Sequence, residues 1–301
     1  IGTRPVDFHL DALEKLGAKI KLKNGYIEAS ADRLIGCEIN FPGVSVTGTE
    51  NIMMAAVLAN GQTILRNVAK EPEVEDLADF LNSLGAKITG AGSDEIIIDG
   101  VKSLGGSTFS IPADRIEAGT YLIAAAITSG DVTISNVNAS RMNNILDKLK
   151  LSGASIKGSN NNIQLTMQDK SILPVDISTA PFPGFPTDMQ AQFTVLNALS
   201  KGSSVVTENV FENRFMHVQE LNRMGCDITV KGSNAFVKGV SELTGAPVMA
   251  TDLRASASLI LAGLCAKGET IVDRIYHIDR GYERIEEKLS YLGANITRLP
   301  N

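Results

Sequence analysis

Leu84-Gly85-Ala86-Lys87-Ile88 is one of five related stretches along the chain. Each comes at the end of a short amphipathic helical pattern. It consists of an apolar residue, a glycine, a small residue and, two places further on, a β-branched residue, and the copy at 151–156 carries one extra residue. The glycine predicts a helix that ends in the left-handed conformation, and the β-branched residue predicts the start of a strand. The other copies are Leu16-Gly17-Ala18-Lys19-Ile20, Leu151-Ser152-Gly153-Ala154-Ser155-Ile156, Met224-Gly225-Cys226-Asp227-Ile228 and Leu292-Gly293-Ala294-Asn295-Ile296.

A second pattern alternates with the first: an apolar helix, a glycine and then a β-branched strand. Copies of the first pattern begin about 70 residues apart, which is the size of a whole supersecondary unit and not of one solenoid turn. Each unit is predicted to run helix, strand, loop, helix, strand, turn, strand, with hairpin turns at Asn24-Gly25 and at 90–94. The apolar helices are predicted at 51–59, 120–128, 190–199 and 256–266.

The repeats predict an α/β fold of two domains, residues 1–113 and 114–301, because Asp114-Arg115-Ile116-Glu117 opens a new half. We expect the last strand of the first domain to end near Phe109 and no continuous sheet to cross from Ile98 to Ile134. Ile52, Met53, Ala56 and Val57 make the first apolar helix hydrophobic nearly all round, which is typical of a helix buried inside a domain. The alternative, an ordinary α/β sandwich with accidental similarity, is disfavoured by so many copies in register.

The composition excludes several classes of protein. The 301 residues carry a net charge of −6, which argues against a nucleic-acid-binding surface. No apolar run is long enough to span a membrane and no secretory leader is recognisable, so we expect a cytoplasmic protein. The cysteines and histidines lack metal-ligand spacing, so we expect no metal, no cofactor and incidental thiols, whereas the oligomeric state is left open. These residues are Cys37, Cys226, Cys265, His9, His217 and His277.

Polar side chains cluster just before the predicted helices, where unpaired N–H groups and the helix dipole favour anions. Taken singly, Asp188 and Asp252 could be ordinary helix-terminal residues, and Arg280 could be half of a surface ion pair. Equivalent positions in different repeats fall at the same end of the units, however, so internal symmetry would gather arginines and aspartates around one cleft. The segments concerned are 4–7, 185–190, 212–217, 250–254 and 277–282.

These segments resemble the UDP-N-acetylglucosamine enolpyruvyl transferase family, and the resemblance runs in order through the whole chain. It implies a two-domain inside-out α/β barrel built from repeated βαβαββ units, N-terminally truncated, with a catalytic and nucleotide-binding domain at 1–113. It also implies transfer of the enolpyruvyl group of phosphoenolpyruvate to the 3′-hydroxyl of UDP-N-acetylglucosamine, with release of phosphate, as the first committed step of peptidoglycan synthesis. The motifs are Arg4-Pro5-Val6-Asp7-Phe8-His9, residues 183–190, Thr207-Glu208 with 211–217, residues 250–255 and 277–283.

The resemblance also implies roles for individual residues. Asp188 would take the hydroxyl proton and bind the sugar, while Arg280 would act in catalysis beside the phosphoenolpyruvate anion. Arg214 and Arg254 would also surround that anion, because guanidinium groups suit a planar carboxylate and a phosphate. The remaining substrate-binding residues would be Arg4, Pro5, Val6, Asp7 and Phe8 at the nucleotide, Val44, Ser45, Val46 and Thr47 at the diphosphate, Val210 at the nucleotide and Asp252 in the cleft.

The chain departs from the family at its front. The family's general-acid cysteine precedes the Ile-Gly-x-Arg-Pro stretch, so it would lie before Ile1, and a Lys-Asn pair and another arginine would lie further upstream. The repeat count agrees, because two equal domains would hold six units, whereas this chain has four and a half. Thr47-Gly48 also stands where the family usually has a Gly-Ala pair.

Three alternatives are kept open. A shikimate-pathway enolpyruvyl transferase would share the fold, but the segments 4–7 and 213–217 disfavour it. An inactive truncated remnant and a non-catalytic repeat-fold binding protein are the others. A clamp-like binder should show a basic inner face, which the net charge does not favour.

We predict that the 301-residue polypeptide, made by itself, is inactive and poorly soluble. A site without its acid and several cations loses orders of magnitude in rate, and repeat units bury their apolar sides only against neighbours. Phosphate release from phosphoenolpyruvate and UDP-N-acetylglucosamine measures this, and the upstream segment supplied as a separate chain is expected to restore folding. Turnover at an ordinary enzymatic rate by the isolated chain would contradict the prediction.

Overall fold

The computed structural model describes residues 6–167 and 171–299, so Arg4 and Pro5 lie outside the described residues. The described chain forms two compact units, with residues up to 112 and 181–183 in unit 1 and residues 113–180 and 184 onward in unit 2. This division runs next to the expected boundary, although it assigns the short segment 181–183 to unit 1. The strands at Glu95–Asp99 and Asp131–Ser135 belong to different sheets, so no continuous sheet joins them. The catalytic and nucleotide-binding character of residues 1–113 stays a prediction.

Unit 1 contains one complete repeat preceded by a helix and a hairpin. The hairpin turns at Asn24-Gly25, as the sequence predicted. The elements are α1 (Asp7–Lys15), β1 (Lys19–Lys23), β2 (Tyr26–Ser30), β3 (Glu38–Asn40), α2 (Val46–Ala56), β4 (Gln62–Arg66), α3 (Pro72–Ser83), β5 (Ile88–Thr89) and β6 (Glu95–Asp99).

Unit 2 continues the same succession of helices and strands. Short 3₁₀ turns at Ala139–Met142, Thr187–Met189 and Ile275–Arg280 interrupt it. The elements are α4 (Arg115–Ile127), β7 (Asp131–Ser135), α5 (Asn143–Leu151), β8 (Ser155–Gly158), β9 (Asn162–Thr166), β10 (Ile177–Ser178), α6 (Gln190–Ala198), β11 (Ser203–Thr207), α7 (His217–Arg223), β12 (Asp227–Lys231), β13 (Asn234–Lys238), β14 (Leu243–Thr244), β15 (Pro247–Met249), α8 (Leu253–Cys265), β16 (Ala266–Lys267), β17 (Ile271–Asp273) and α9 (Ile285–Tyr291).

The repeat is visible in the sheets. One four-stranded sheet has the order β3-β4-β6-β5 and another has the order β10-β11-β13-β12, so the two units share one topology. In each, the first two strands are parallel and are joined through a helix, and the other pairs are antiparallel. This is a βαβαββ unit, as expected, and it shows the leading strand that the two sequence patterns had not located.

The glycine of every copy adopts the predicted left-handed conformation. The φ angles are 95° at Gly17, 100° at Gly85, 105° at Gly153, 95° at Gly225 and 100° at Gly293. In the first four copies a strand begins at or next to the β-branched residue, as predicted.

The prediction of a strand at the fifth copy was wrong. The described residues 293–299 contain no strand at Ile296. In the other copies this strand is one arm of a hairpin. The described part of the fifth copy has no such second arm, and a single strand has nothing to satisfy its backbone polar groups.

The apolar helices α2, α4 and α8 begin a few residues earlier than predicted, because polar caps precede their first turns, whereas α6 begins at Gln190 as predicted. In unit 2, α4, α6 and α8 pack against one another, and every residue of α6 is buried. In unit 1, α2 buries Ile52 and Met53 completely but leaves Met54 47% exposed. The prediction of a buried helix concerned α2, and it holds for one face of α2 only, because the described residues of unit 1 leave the other face exposed.

The prediction that the last strand of the first domain ends near Phe109 was also wrong. The last strand of unit 1 is β6, and residues 100–114 form no strand. Phe109 instead packs its ring on Phe80 of α3, with 5.4 Å between the ring centroids. A side-chain contact between Phe109 and Phe80, and not strand pairing, thus holds this segment.

Gly225→Ala should lower the free energy of unfolding of unit 2 by about 1–2 kcal/mol, because a Cβ strains a left-handed residue. A Cβ at Gly225 would meet no atom within 4 Å, so the cost would be conformational and not a clash. Urea unfolding measures it. Gly225→Asn is the matched control and should lose less, because asparagine tolerates this region better than alanine. An alanine variant as stable as the parent protein would contradict the argument.

Candidate active site

The central helices of unit 2 each have an aspartate at the N-terminus, but the three carboxylates do different things. Asp114 accepts hydrogen bonds from the backbone N–H of Ile116 and Glu117, at 2.7 and 3.1 Å, and so caps α4. Asp252 caps α8 in the same way, through the backbone N–H groups of residues 254 and 255 at 2.9 and 3.0 Å. Asp188 lies in the 3₁₀ turn ahead of α6 and caps nothing. Its carboxylate is therefore available for side-chain partners.

Those partners are two arginines. Arg214 donates from Nη2 to Oδ1 of Asp188 at 2.6 Å, and Arg254 donates from Nη2 to Oδ2 at 2.7 Å. Arg254 extends from the first turn of α8, whereas Arg214 follows Asn213, which takes a left-handed conformation with φ of 55°. The side chains of Arg214 and Arg254 are only 21% and 12% exposed, so solvent screens these ion pairs less than pairs on the surface.

The two arginines control the charge of Asp188. Burial by itself would raise the pKa of the carboxyl group, but the positive charges of Arg254 and Arg214 and their hydrogen bonds lower it to about 2. Asp188 is thus ionised at neutral pH and a weak proton acceptor while both arginines hold it. A ligand anion that takes over the arginine donors would strengthen it as a base.

A buried glutamate, Glu208, forms hydrogen bonds with residues of the same site. Glu208 is 4% exposed, and Oε2 accepts a hydrogen bond from the hydroxyl of Thr187 at 2.8 Å. Its Oε1 accepts from the hydroxyl of Thr179 and from the backbone N–H groups of Val210 and Phe211, at 2.9 to 3.0 Å. Arg214 also donates from Nη1 to the Thr187 hydroxyl. Val210, Arg214 and Asp188 therefore belong to one hydrogen-bonded cluster.

In unit 1, the structure brings the two predicted nucleotide segments together. Phe8 of α1 lies 3.6 Å from where a Cβ of Gly43 would stand, next to the segment 44–47. His9 hydrogen-bonds Thr47 at 3.4 Å and Asn51 at 3.0 Å, which ties α1 to α2. Ser45 caps α2 by accepting from the N–H of Gly48 at 3.1 Å. Val6 and Val44 remain 40% and 44% exposed.

Other residues discussed in the sequence analysis, Arg280 and the three cysteines, do not join the hydrogen-bonded cluster of Asp188 in the described part of the chain. Arg280 ends a 3₁₀ turn and is exposed, and its guanidinium group makes no ion pair or hydrogen bond with residues 6–167 or 171–299. Among the described residues, none of the three cysteines hydrogen-bonds Asp188, Arg214 or Arg254. The Cys37 thiol donates to the carbonyl of Lys15, and burial raises the pKa of Cys226 to about 12 and of Cys265 to about 11. No group of three His, Cys, Asp or Glu residues in the described ranges is arranged to hold a metal ion.

Three residues of this region were not singled out from the sequence. Glu208 and Tyr282 fall inside the motifs that carry the family resemblance, and Thr187 sits next to Asp188. Their positions in those motifs were the available signal. Their importance comes from contacts across 20 residues and more, such as that between Arg254 and the hydroxyl of Tyr282 at 3.2 Å. Periodicity and spacing do not report such contacts.

Comparison with known proteins agrees with this fold. The family model of EPSP synthase (3-phosphoshikimate 1-carboxyvinyltransferase) matches residues 1–289. The solved structure of the enolpyruvyl transferase NikO from Streptomyces tendae superposes with a TM-score of 0.88 at 26% identity, over 99% of this chain and 73% of that one. EPSP synthase from Acinetobacter baumannii superposes with a TM-score of 0.74 at 19% identity, over 97% of this chain and 71% of that one, which shows the fold alone.

The two-unit α/β fold with its βαβαββ repeats is therefore that of the enolpyruvyl transferases. UDP-N-acetylglucosamine 1-carboxyvinyltransferase from Hydrogenovibrio crunogenus is 59% identical over 298 residues, which are 99% of this chain and 71% of the relative. The enzyme of the same name from Coxiella burnetii is 59% identical over 300 residues, 99% of this chain and 69% of the relative. The chain belongs to this family of UDP-N-acetylglucosamine 1-carboxyvinyltransferases, which confirms the main hypothesis over the shikimate-pathway alternative.

A further structural finding concerns membranes. Every helix within the described ranges is too short or too polar to cross one.

Replacing Arg214 by glutamine should raise the pKa of Asp188 from about 2 toward its ordinary value of 3.8. Because the folded pKa lies below the ordinary one, these ion pairs stabilise the fold above about pH 4 and lose that effect as the pH falls toward 2. A ¹³C NMR titration of the aspartate carboxyl groups measures the change. Arg223→Gln is the matched control, since Arg223 is 61% exposed and pairs with Glu220, not with Asp188. An unchanged Asp188 titration in Arg214→Gln would contradict the prediction.

Proposed function

We propose that Asp188, Arg214 and Arg254 carry the transfer of the enolpyruvyl group of phosphoenolpyruvate to the 3′-hydroxyl of UDP-N-acetylglucosamine, with release of phosphate. The observation that carries the proposal is the Asp188 carboxylate held between two arginines, at 2.6 and 2.7 Å, ahead of a central helix. Membership of the family supplies the reaction, and the geometry supports the roles of these three residues.

In the proposed step, the sugar hydroxyl oxygen forms a bond to C2 of phosphoenolpyruvate and its proton passes to the Asp188 carboxylate. C3 takes up a proton from another acid, and phosphate leaves when C3 gives a proton back, so that the enolpyruvyl group is regenerated on the sugar. Arg214 and Arg254 bind the carboxylate and phosphate of the substrate, because guanidinium groups donate paired hydrogen bonds to such anions. Cys37, Cys226 and Cys265 receive no part in this proposal.

The ligand-free site suggests how the base becomes active. While Arg214 and Arg254 occupy both carboxylate oxygens, the pKa of Asp188 is about 2 and proton transfer from a hydroxyl is unfavourable. An incoming phosphoenolpyruvate would take donors from both arginines and neutralise part of their charge. In this proposal the base is therefore strongest once the anion that the sugar hydroxyl must attack is bound.

Two further residues complete the proposed anion site. Arg280 is exposed, and its guanidinium makes no hydrogen bond or ion pair with the described residues. The guanidinium therefore remains available for the phosphate or carboxylate of the substrate. Asp252 caps α8 at the turn from which Arg254 extends, at 2.9 Å from the N–H of Arg254. Asp252 would thus act in substrate binding by fixing the backbone of Arg254 at the start of α8.

The proposed nucleotide contacts are of two kinds. In unit 1, Arg4 would lie beside the phosphate and the nucleotide. Pro5, Val6, Asp7 and Phe8 would contact the uridine, and Val44, Ser45, Val46 and Thr47 would contact the diphosphate. The start of α2 favours an anion through its dipole and its free N–H groups. In unit 2, Val210 would add a contact through the loop that Glu208 holds.

We also propose a cytoplasmic enzyme that serves bacterial cell-wall synthesis and, through it, cell shape and division. The three cysteines are free thiols, as is common in a reducing compartment. A small-molecule enzyme without nucleic-acid or membrane partners is consistent with the net charge of −6.

Asp188→Asn in the catalytically active protein should reduce kcat by at least about a hundredfold, because the amide cannot accept the hydroxyl proton. Binding of UDP-N-acetylglucosamine, measured by calorimetry, should change little, since the side chain keeps its shape. Asp114→Asn is the matched control, because asparagine still caps α4 and activity should persist. An unchanged kcat in Asp188→Asn would remove Asp188 from the mechanism.

A further inference from the structure

A buried polar cluster lies behind Arg254, inside the apolar core of unit 2. Thr120 of α4, Gln192 of α6 and Tyr282, which follows the 3₁₀ turn at Ile275–Arg280, are each 1% exposed or less. The Tyr282 hydroxyl is 2.8 Å from the Thr120 hydroxyl and 3.2 Å from Nη1 of Arg254. Polar groups in a core are costly unless they are paired. Here the two hydroxyls and the amide nitrogen of Gln192 pair with one another, whereas the Gln192 amide oxygen has no partner among the described residues.

The hydrogen bonds of this cluster run in one direction. A guanidinium group can only donate, so Arg254 donates to the oxygen of Tyr282. The Thr120 hydroxyl donates to the carbonyl of Ile116 at 2.9 Å, which leaves its oxygen to accept from Tyr282. The amide nitrogen of Gln192 donates to the Thr120 hydroxyl at 3.2 Å and lies 3.4 Å from the Tyr282 hydroxyl. The series Arg254, Tyr282, Thr120 thus ends on the backbone of α4.

We infer that Tyr282, anchored by Thr120, is a positioning residue that holds the Arg254 guanidinium in the orientation needed to bind the substrate anion. The inference rests on the proposed function, in which Arg254 binds phosphoenolpyruvate. Two contacts fix the plane of the guanidinium: Nη2 on Asp188 and Nη1 on Tyr282. When the substrate anion competes with Asp188, the contact with Tyr282 remains.

The chemistry of tyrosine suits this task. A carboxylate in its place would neutralise the arginine and compete with the substrate, whereas a neutral hydroxyl orients the guanidinium and leaves its charge available. Burial raises the pKa of Tyr282, so its hydroxyl keeps its proton at neutral pH. The guanidinium carbon of Arg254 also lies 5.7 Å from the centre of the Tyr282 ring, within the range of a cation–π contact.

The neighbourhood of Tyr282 is tightly packed. Gly281 lies so close to α8 that a Cβ there would come within 2.9 Å of the Leu253 side chain. Tyr282 is 1% exposed and therefore has no room to change rotamer. The hydroxyl is thus presented to Arg254 from a fixed point.

The test is Tyr282→Phe in the catalytically active protein, which keeps the ring contact and removes only the hydroxyl. We expect KM for phosphoenolpyruvate to rise about tenfold, the usual order for one hydrogen bond to a charged group, while KM for UDP-N-acetylglucosamine stays unchanged. Tyr121→Phe is the matched control: Tyr121 is also buried on α4, but its hydroxyl has no hydrogen-bond partner among the described residues. It should leave both constants unchanged.

A second pair of variants acts at the other end of the series. Thr120→Val removes the acceptor for Tyr282 and should raise KM for phosphoenolpyruvate, whereas Thr120→Ser keeps a hydroxyl and should restore it. This pair also decides the question if Tyr282→Phe fails to fold. A double-mutant cycle completes the test, because Tyr282→Phe should add little in an Arg254→Lys background, where the bonded guanidinium is already gone.

The outcomes separate the inference from the proposed function. If Arg254→Lys leaves KM for phosphoenolpyruvate unchanged, the assignment of Arg254 to the anion site is wrong. If Arg254→Lys raises it but Tyr282→Phe and Thr120→Val do not, only the positioning role is wrong. Equal changes in the constants of both substrates, or an equal effect of Tyr121→Phe, would show a general loss of structure and would overturn the inference.

Discussion

The packing of three apolar helices against one another is the interaction on which unit 2 depends. The helices α4, α6 and α8 bury residues on nearly every side, and most of the surface that they bury is hydrophobic, although α6 also buries polar side chains such as Gln192 and Asn197. They are stable only where other helices and the surrounding sheets remove that surface from solvent. Each belongs to a different repeat, and the repeats are therefore held together at their centres. Unit 1 has one such helix, α2, and its exposed Met54 shows what remains when the neighbours within a unit are fewer.

This packing also brings chemistry together. In a repeated structure, equivalent helix ends lie at equivalent places, so the aspartates at the starts of α4, α6 and α8 form a related set. Asp114 and Asp252 use their carboxylates on their own helices. Asp188 does not, because a 3₁₀ turn at Thr187–Met189 displaces it from the capping position. One local change in the backbone thus turns a structural residue type into a candidate catalytic one.

The electrostatic character of the site follows from the partners of each group. Asp188 faces two arginines and is held ionised, and Arg254 faces one carboxylate and one neutral hydroxyl. Tyr282 orients Arg254 without neutralising it. The positive charge of Arg254 therefore remains available to a substrate anion. Glu208 has the complementary task. Its carboxylate is buried and fully occupied by Thr179, Thr187 and backbone N–H groups, so it shapes the loop at 208–211 without competing for the arginines.

Some features of the fold could be predicted from the sequence and others could not. The glycines at the helix ends were readable because only a residue without a Cβ adopts φ near 100° at little cost. The strand expected near Phe109 failed because a side-chain contact with Phe80, and not strand pairing, holds that segment. The leading strands β3 and β10 are too short, at three and two residues, to show a period in sequence.

The sequence by itself determined the repeat, the alternation of apolar and amphipathic helices, the helix ends at glycine and the motifs that resemble the family. These features depend on residues close together in the chain, and on backbone preferences that a single residue sets. Only the tertiary structure decided that Asp188 pairs with Arg214 and Arg254, that Asp252 caps its own helix, and that Tyr282 reaches Thr120 across 162 residues. Hydrogen bonds of that kind depend on which helices pack together and at what distance. No local pattern encodes them, because the same residue types at the same helix ends are compatible with either role.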